Sequence, residues 1–526
     1  MSTIMRSPRI LMVHPRFCGT SFWNYQPTLR AVGRRYSNTP LGLATVAALL
    51  PESWPIRLID CNVEELSGAD LDWADVVATG GMLSQQADAL NLIQAAKARG
   101  RYCIVGGPDP TTSPQVYEGA DARVLGEAEP VRQQLVEVLA KRKQRTVVEA
   151  GEFADLATSP VPRFDLLKLN RYLHVGVQAS RGCPHDCEFC NVVNLYGRRP
   201  RMKSTTQMLA ELDALYTLGY RGHIDFVDDN LISHRRRTKV LLRALIPWLE
   251  AHGQPFEFST EASLDLADDE ELLELMCRAN FFGIFSGIET TDPVALRDAH
   301  KRPNLNRDLI ESVRKIQRAG IFVNGGFIIG FDTETASVQD AVVESVEAAA
   351  MPIAMVGLLY ALPGTRLARR LAEEGRLEGL YDDVRLASVD DADQCTSGLN
   401  FRTLRPKAEA LTDYQQVYRK LYNPAAFYGR VRQLVRMLDR SRSRYRPTLR
   451  QVLRDLRAFV HVCTQAGWRS PETRREYWLS LGDALVHNPS AIRTTVLMAA
   501  LYLHFGPFSQ HVDRIVERRL AGSAQG

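Results

Sequence analysis

The 526-residue chain is too long for one ordinary core, and the usual domain size divides it into about three folded units. Its 45% hydrophobic and 24% charged residues exclude a disordered chain, and 65 Lys+Arg against 61 Asp+Glu leave +4, which gives no case for nucleic-acid binding. Nine cysteines are too sparse for a disulfide scaffold, and three of them (Cys183, Cys187, Cys190) crowd one short stretch, which in a reducing compartment points to metal. The others, Cys18, Cys61 and Cys103 among them, read as small buried apolar residues.

Met1–Arg9 is short and polar and runs straight into an apolar segment without the h-region of a signal peptide, so a cytoplasmic protein is expected. Over residues 1–145 short apolar runs alternate with amphipathic segments. Strands are expected at Arg9–Val13, Ile56–Asp60, Asp75–Thr79, Tyr102–Val105 and Ala122–Leu125, with helices at Leu41–Leu50 and Gln86–Ala98. This is the pattern of an α/β Rossmann-like or flavodoxin-like unit, whose ligand sits at the carboxyl ends of its strands. Glycine turns crowd those ends at Gly80-Gly81, Gly106-Gly107-Pro108 and Gly126-Glu127. They let backbone amides approach a bulky ligand, and tight strand-to-loop turns need them in any case.

A charged stretch around Lys141–Leu156 reads as the start of a linker, taken as residues 146–171. Over 172–381, strands recur at Val175–Ala179, His223–Val227, Phe256–Thr260, Phe282–Ser286, Phe322–Gly326 and Ala354–Leu359, each followed by a helical pattern. Six such units suit a partial (β/α)6 barrel. Residues 382–526 read as a mostly helical domain rich in Arg, with helices at Leu411–Leu421, Leu449–Ala466 and Ser490–Phe505. The apolar run Val496–Leu503, between Arg493 and His504, is too short to span a bilayer. It reads as a core helix, or as one lying on a membrane surface at the inner face.

Cys183-Pro-His-Asp-Cys187-Glu-Phe-Cys190 follows the first barrel strand, where a barrel keeps its chemistry. Three thiolates at this spacing can wrap a small cluster, whereas structural zinc wants four ligands. His185 sits between two of them, where its ring would have to fold back onto the same metal. Three ligands on a four-iron cube leave one iron open to a small molecule.

Cys-x-x-x-Cys-x-aromatic-Cys, with Phe189 as the aromatic, resembles the signature of the radical S-adenosylmethionine (SAM) superfamily. The resemblance implies a 4Fe–4S cluster that binds SAM and cleaves it to a 5′-deoxyadenosyl radical. It also implies an external one-electron reductant such as flavodoxin or ferredoxin. Asp228-Asp229-Asn230 stands where that superfamily contacts the SAM amino group, without its usual Gly-Gly-Glu. Gly287-Ile288-Glu289 resembles the motif reaching the ribose or methionine end, and Gly326-Phe327-Ile328-Ile329-Gly330 the one that packs on adenine.

A doubly wound unit ahead of such a barrel resembles the cobalamin-binding subclass. The match is carried by Thr39–Leu43, Val105–Thr111, Leu125–Glu129 and Leu362–Thr365. It implies that Gly106, Gly107, Pro108, Thr111, Gly126 and Glu127 line the nucleotide tail and corrin edge, and that Ser84 and Gln85 face the corrin ring. An Asp-x-His-x-x-Gly loop is missing: His14-Pro-Arg-Phe-Cys-Gly19 follows the first strand, so no histidine on cobalt is expected. Phe22-Trp23, Asp228–Leu231, Thr260–Leu264, Ser286–Glu289 and Arg474–Trp478 resemble the hopanoid C-2 methylase and its relatives along most of the chain. The expected activity is cobalamin-dependent C-methylation of an unactivated carbon in a lipid or natural product. A ring-forming or rearranging enzyme with the same cofactors, and a non-catalytic iron–sulfur protein, stay open.

Overall fold

A computed structural model describes residues 7–17, 19–334, 338–378, 395–467 and 470–523. The first sheet is all parallel, in the order β2-β1-β3-β4-β5-β6. Its strands are β1 (Ile10–His14), β2 (Ile56–Asp60), β3 (Val76–Gly80), β4 (Tyr102–Gly106), β5 (Ala122–Leu125) and β6 (Thr146–Glu149). β1, β3 and β4 are buried almost throughout, as sheet-centre strands covered on both faces must be. β6 lies inside the stretch expected as linker. It is an edge strand with one buried residue, Val148, so its polar sequence carries no continuous apolar run.

The second sheet runs β14-β13-β12-β11-β10-β7, again all parallel. Its strands are β7 (Val175–Val177), β10 (Gly222–Phe226), β11 (Phe256–Glu261), β12 (Phe281–Glu289), β13 (Phe322–Ile329) and β14 (Ala354–Leu358). Between β7 and β10 an antiparallel ribbon, β8 (Ser180–Arg181) with β9 (Arg201–Met202), brackets the cysteine segment.

The edge strand β14 is covered by helix Lys407–Tyr422, whose Tyr414, Tyr418 and Tyr422 repeat every fourth residue and are buried. Tyr418 and Tyr422 donate their hydroxyls to the Val356 and Ala354 carbonyls at 2.9 and 2.7 Å, which occupies the open edge of the sheet. Helices Pro424–Met437, Leu449–Gly467, Pro471–His487 and Ile492–Ser523 follow. The boundary expected at 381–382 lies outside the described residues, as does Cys18.

The segment Val496–Leu503 belongs to the core. Met498 and Ala499 are fully buried, Leu501 is 9% exposed, and the Ala500 carbonyl accepts the Thr28 hydroxyl at 2.7 Å. The surface-lying alternative for this segment is thereby corrected: it packs on the first unit. No described helix is long and apolar enough to cross a membrane.

Candidate active site

The carboxyl ends of both sheets open on one cavity of about 1740 Å³. Ser84 and Pro108 line it from the first unit; Phe189, Asp228, Asp229, Glu261 and Ile328 line it from the barrel. It continues down the barrel lumen past Asp225, Ser259 and Asn324 to Glu257 and Arg493. Arg493, on the last helix, makes a two-pronged ion pair with Glu257 at 2.5 Å per contact at the amino-terminal end of the barrel.

The cysteine segment is built from backbone constraints. Gly182 has φ +93°, and a Cβ there would stand 2.9–3.0 Å from the carbonyls of Tyr196, Gly197 and Arg199, so only glycine lets the loop fold back on itself. Asp229 accepts the Gly182 N–H at 3.1 Å, and Asp228 accepts the Ala179 N–H at 3.0 Å together with the Ser180 hydroxyl. The two aspartates thus tie the start of the loop to the end of β10. Burial pushes the Asp228 carboxyl up to about 7 and raises that of Asp229.

Cys183, Cys187 and Cys190 lie near one another and near Lys301. Burial raises all three thiols, and Lys301 opposes that rise in each. Lys301 donates to Glu289 at 2.7 Å. Burial works against the Lys301 charge, but Glu289 and the thiols of Cys187 and Cys190 outweigh it, and its pKa is raised. Glu289 itself sits at φ +69°, a left-handed backbone uncommon for a residue with a side chain. Three thiols on one loop form a donor set one ligand short of a structural zinc site, and they fit an iron–sulfur cube with one iron left to another ligand.

Glu127 is 6% exposed and turned to the barrel. Its carboxylate takes Arg181 at 2.7 Å and Arg201 at 2.8 Å, while Glu129 takes Arg181 at 2.9 Å. These pairs clamp the first unit onto the ribbon that carries the cysteines. Ser84 faces the cavity, whereas its neighbour Gln85 is buried. The Gln85 amide donates to the Pro15 carbonyl at 2.7 Å and lies 3.1 Å from His14 Nε2.

The glycine turns are demanded by the fold itself. A Cβ on Gly80 would stand 1.9 Å from the Gly106 carbonyl, and Gly107 has φ +103°. Thr111 joins two of these turns, donating to the Gly107 carbonyl at 2.7 Å and accepting the Gly126 N–H at 3.0 Å. Sequence reasoning gave no role to Lys301, Glu261, Arg181 or Asn324, although Glu261 stands inside the Thr260–Leu264 match and Arg181 and Asn324 each lie two residues before a recognised motif. Burial lifts the Glu261 carboxyl to about 8, and nearby carboxylates add to the effect. Asn324 Oδ1 is buried without a hydrogen-bond partner among the described residues, and the residue lines the lumen.

Family models match three stretches: the B12 binding domain over residues 29–136, the Radical SAM superfamily over 177–344, and a domain of unknown function (DUF4070) over 365–518. Fold and site therefore define a radical SAM enzyme joined to a cobalamin-binding domain. An uncharacterized methyltransferase of Synechocystis sp. is 38% identical over 97% of this chain and 94% of its own length. The hopanoid C-2 methylase of Rhodopseudomonas palustris is 37% identical over 73% of each chain. The structure of the methyltransferase TsrM from Kitasatospora setae, with cobalamin and a [4Fe-4S] cluster bound, superposes with TM-score 0.62 at 15% identity, covering 91% of this chain and 99% of that one. The chain belongs to the cobalamin-binding radical SAM methyltransferases, in the family of the hopanoid C-2 methylase. A 4Fe–4S cluster, SAM and cobalamin are the cofactors of that family.

Proposed function

We propose that the enzyme adds a methyl group to an unactivated carbon of a hydrophobic lipid or natural-product skeleton. The cavity carries this reading, because one continuous space joins the thiol loop, the strand ends of the first unit and a long lumen lined by apolar helices. The name of the Rhodopseudomonas relative supports a polycyclic lipid.

In this reading Cys183, Cys187 and Cys190 hold the cluster and leave one iron open. The SAM site is assigned to Asp228, Asp229, Glu289, Phe189 and Ile328. The corrin side is assigned to Ser84, Gly106, Gly107, Pro108, Thr111 and Gly126, while Glu127 serves the ribbon of the cysteine loop and Gln85 is held by Pro15. When bound, cluster and SAM supply the hydrogen-abstracting radical and cobalamin supplies the methyl group. The protein's own part is positioning and exclusion. Asp229 and Glu261 border the cavity with carboxyl groups that burial favours in the neutral form, and the positive charge of SAM beside them would favour their ionisation. The Glu257–Arg493 pair sets a charged collar at the amino-terminal end of the lumen. Asn324 offers its free carbonyl oxygen to a polar group on the substrate. The electron comes from an external one-electron donor, and the working location is the cytoplasm at the inner face of the membrane.

The test is mass spectrometry of lipid and metabolite extracts from a deletion strain. A skeleton one methylene lighter than in the parent strain, restored by the wild-type gene and not by Cys187→Ala, is expected. Extracts unchanged by the deletion would overturn the reading.

A further inference from the structure

Helix Leu449–Gly467 has two apolar faces, and only one is covered. Ala458, Phe459 and Val462 face the cavity. On another side Leu449, Leu453, Leu456 and Val460 repeat at intervals of four, three and four residues and are 74%, 50%, 56% and 54% exposed. That spacing gives one continuous stripe along the helix. A lone exposed leucine needs no explanation, but a four-residue apolar stripe on a soluble chain does.

Two further observations identify what covers it. Residues 440–461 hold seven arginines against one aspartate. Of these, Arg450 and Arg457 are exposed beside the stripe and make no ion pair among the described residues. Moreover, Leu456 belongs both to the stripe and to the cavity wall, so the exposed apolar surface runs without interruption into the cavity. A surface that is greasy in the middle, cationic at its flank and open to an internal lumen matches an anionic lipid bilayer. Trp478, 45% exposed on the adjoining helix Pro471–His487, supplies the amphipathic aromatic typical of a membrane interface.

We infer that the stripe Leu449–Leu453–Leu456–Val460 seats the enzyme on an anionic bilayer, with Arg450 and Arg457 on the headgroup phosphates and the cavity mouth turned to the lipid. The inference rests on the reading of a hydrophobic substrate, and it gives that substrate a route into the lumen that never crosses water.

The experiment uses reconstituted holoenzyme and co-sedimentation with vesicles of phosphatidylcholine, alone or mixed with phosphatidylglycerol. Wild-type protein should sediment with the mixed vesicles at low salt. The Leu453→Asp/Val460→Asp variant changes two exposed positions outside the cavity wall, so its iron and cobalamin contents should match wild type. Its vesicle affinity should fall by about a hundredfold. Arg450→Glu/Arg457→Glu should lose about tenfold and its preference for phosphatidylglycerol. Wild-type protein that stays in the supernatant, or equal sedimentation of the aspartate variant, would overturn the proposal. So would a dimer that the same variant splits, since the stripe would then be an interface between copies.

Lipid extract from the deletion strain, dispersed in detergent, separates this result from the substrate reading. Both wild type and the aspartate variant should methylate it equally. If neither does while vesicle binding behaves as stated, the lipid substrate falls and the docking surface stands.

Discussion

Asp228 is 1% exposed, and burial is the largest reason that its carboxyl titrates near pH 7, despite the hydrogen bonds it accepts from Ala179 and Ser180. An unfolded aspartate titrates near ~3.9, so the folded protein binds this proton more tightly. The stabilising contribution of Asp228 is therefore complete below about pH 4 and is lost as pH rises through 7. Asp228→Asn keeps an acceptor and removes the titration. Measured by urea unfolding of apo protein, wild-type stability should fall relative to the variant by up to roughly 4 kcal/mol between those limits. A difference that stays flat with pH would show that the carboxylate is charged in the fold and compensated elsewhere. At this scale the sequence was only half readable. The cysteine spacing announces its chemistry, but whether Asp228 and Asp229 face a ligand or hold the backbone of the cysteine loop depends on contacts about fifty residues apart. Ser84 and Gln85 are neighbours in the chain, yet one lines the cavity and the other is buried beneath it, a distinction no pattern of residue types encodes.

Elements were legible where burial is continuous. β4 and β12 carry apolar runs because both faces are covered, whereas β6 has one buried residue and passes for linker. Helix Leu449–Gly467 was expected at nearly its observed bounds, yet its uncovered stripe was not, since periodicity gives a face and not what packs on it. The apolar run Val496–Leu503 shows the converse, a segment rich enough for a surface helix yet buried, with its Ala500 carbonyl bonded by Thr28 of the first unit. The ribbon β8–β9 lies beneath the cysteine loop and is held by Arg181, whose side chain is 12% exposed between Glu127 at 3% and Glu129 at 4%. Arg181→Met would leave Glu129 buried without a cation, and removing one partner of a buried pair costs about 3–5 kcal/mol. The variant is expected to lose stability of that order in denaturant unfolding and to take up less iron on reconstitution. Adding Glu129→Gln should restore a large part of the stability. If Arg181→Met alone unfolds like wild type, the clamp contributes nothing and the loop is held by Asp228 and Asp229.

Across the whole molecule, the first and last parts of the chain form one packed body. Phe22, fully buried, meets Phe505 at 4.8 Å and Phe508 at 5.8 Å between ring centres, and its carbonyl lies 3.1 Å from His504 Nε2. Trp23, next in sequence, stands edge-on to Phe285 of β12 at 5.4 Å and lines the cavity. A single turn of the first unit thereby touches the barrel and the final helix. The cavity exists only while all three are docked, because its walls come from each. Phe22→Ala removes the ring at this junction, and a buried Phe→Ala change costs about 3–5 kcal/mol. That loss should fall on docking more than on any one core, because the Phe22 ring meets Phe505 and Phe508 of the last helix. The expected outcome in calorimetry is that the variant splits a transition that wild type shows as one, with the C-terminal helices melting first. Limited proteolysis should then cut within the last helix of the variant at temperatures where wild type resists. If Phe22→Ala lowers one undivided transition instead, the three units unfold together, and the junction at Phe22 is one core contact among many rather than the point that holds the cavity shut.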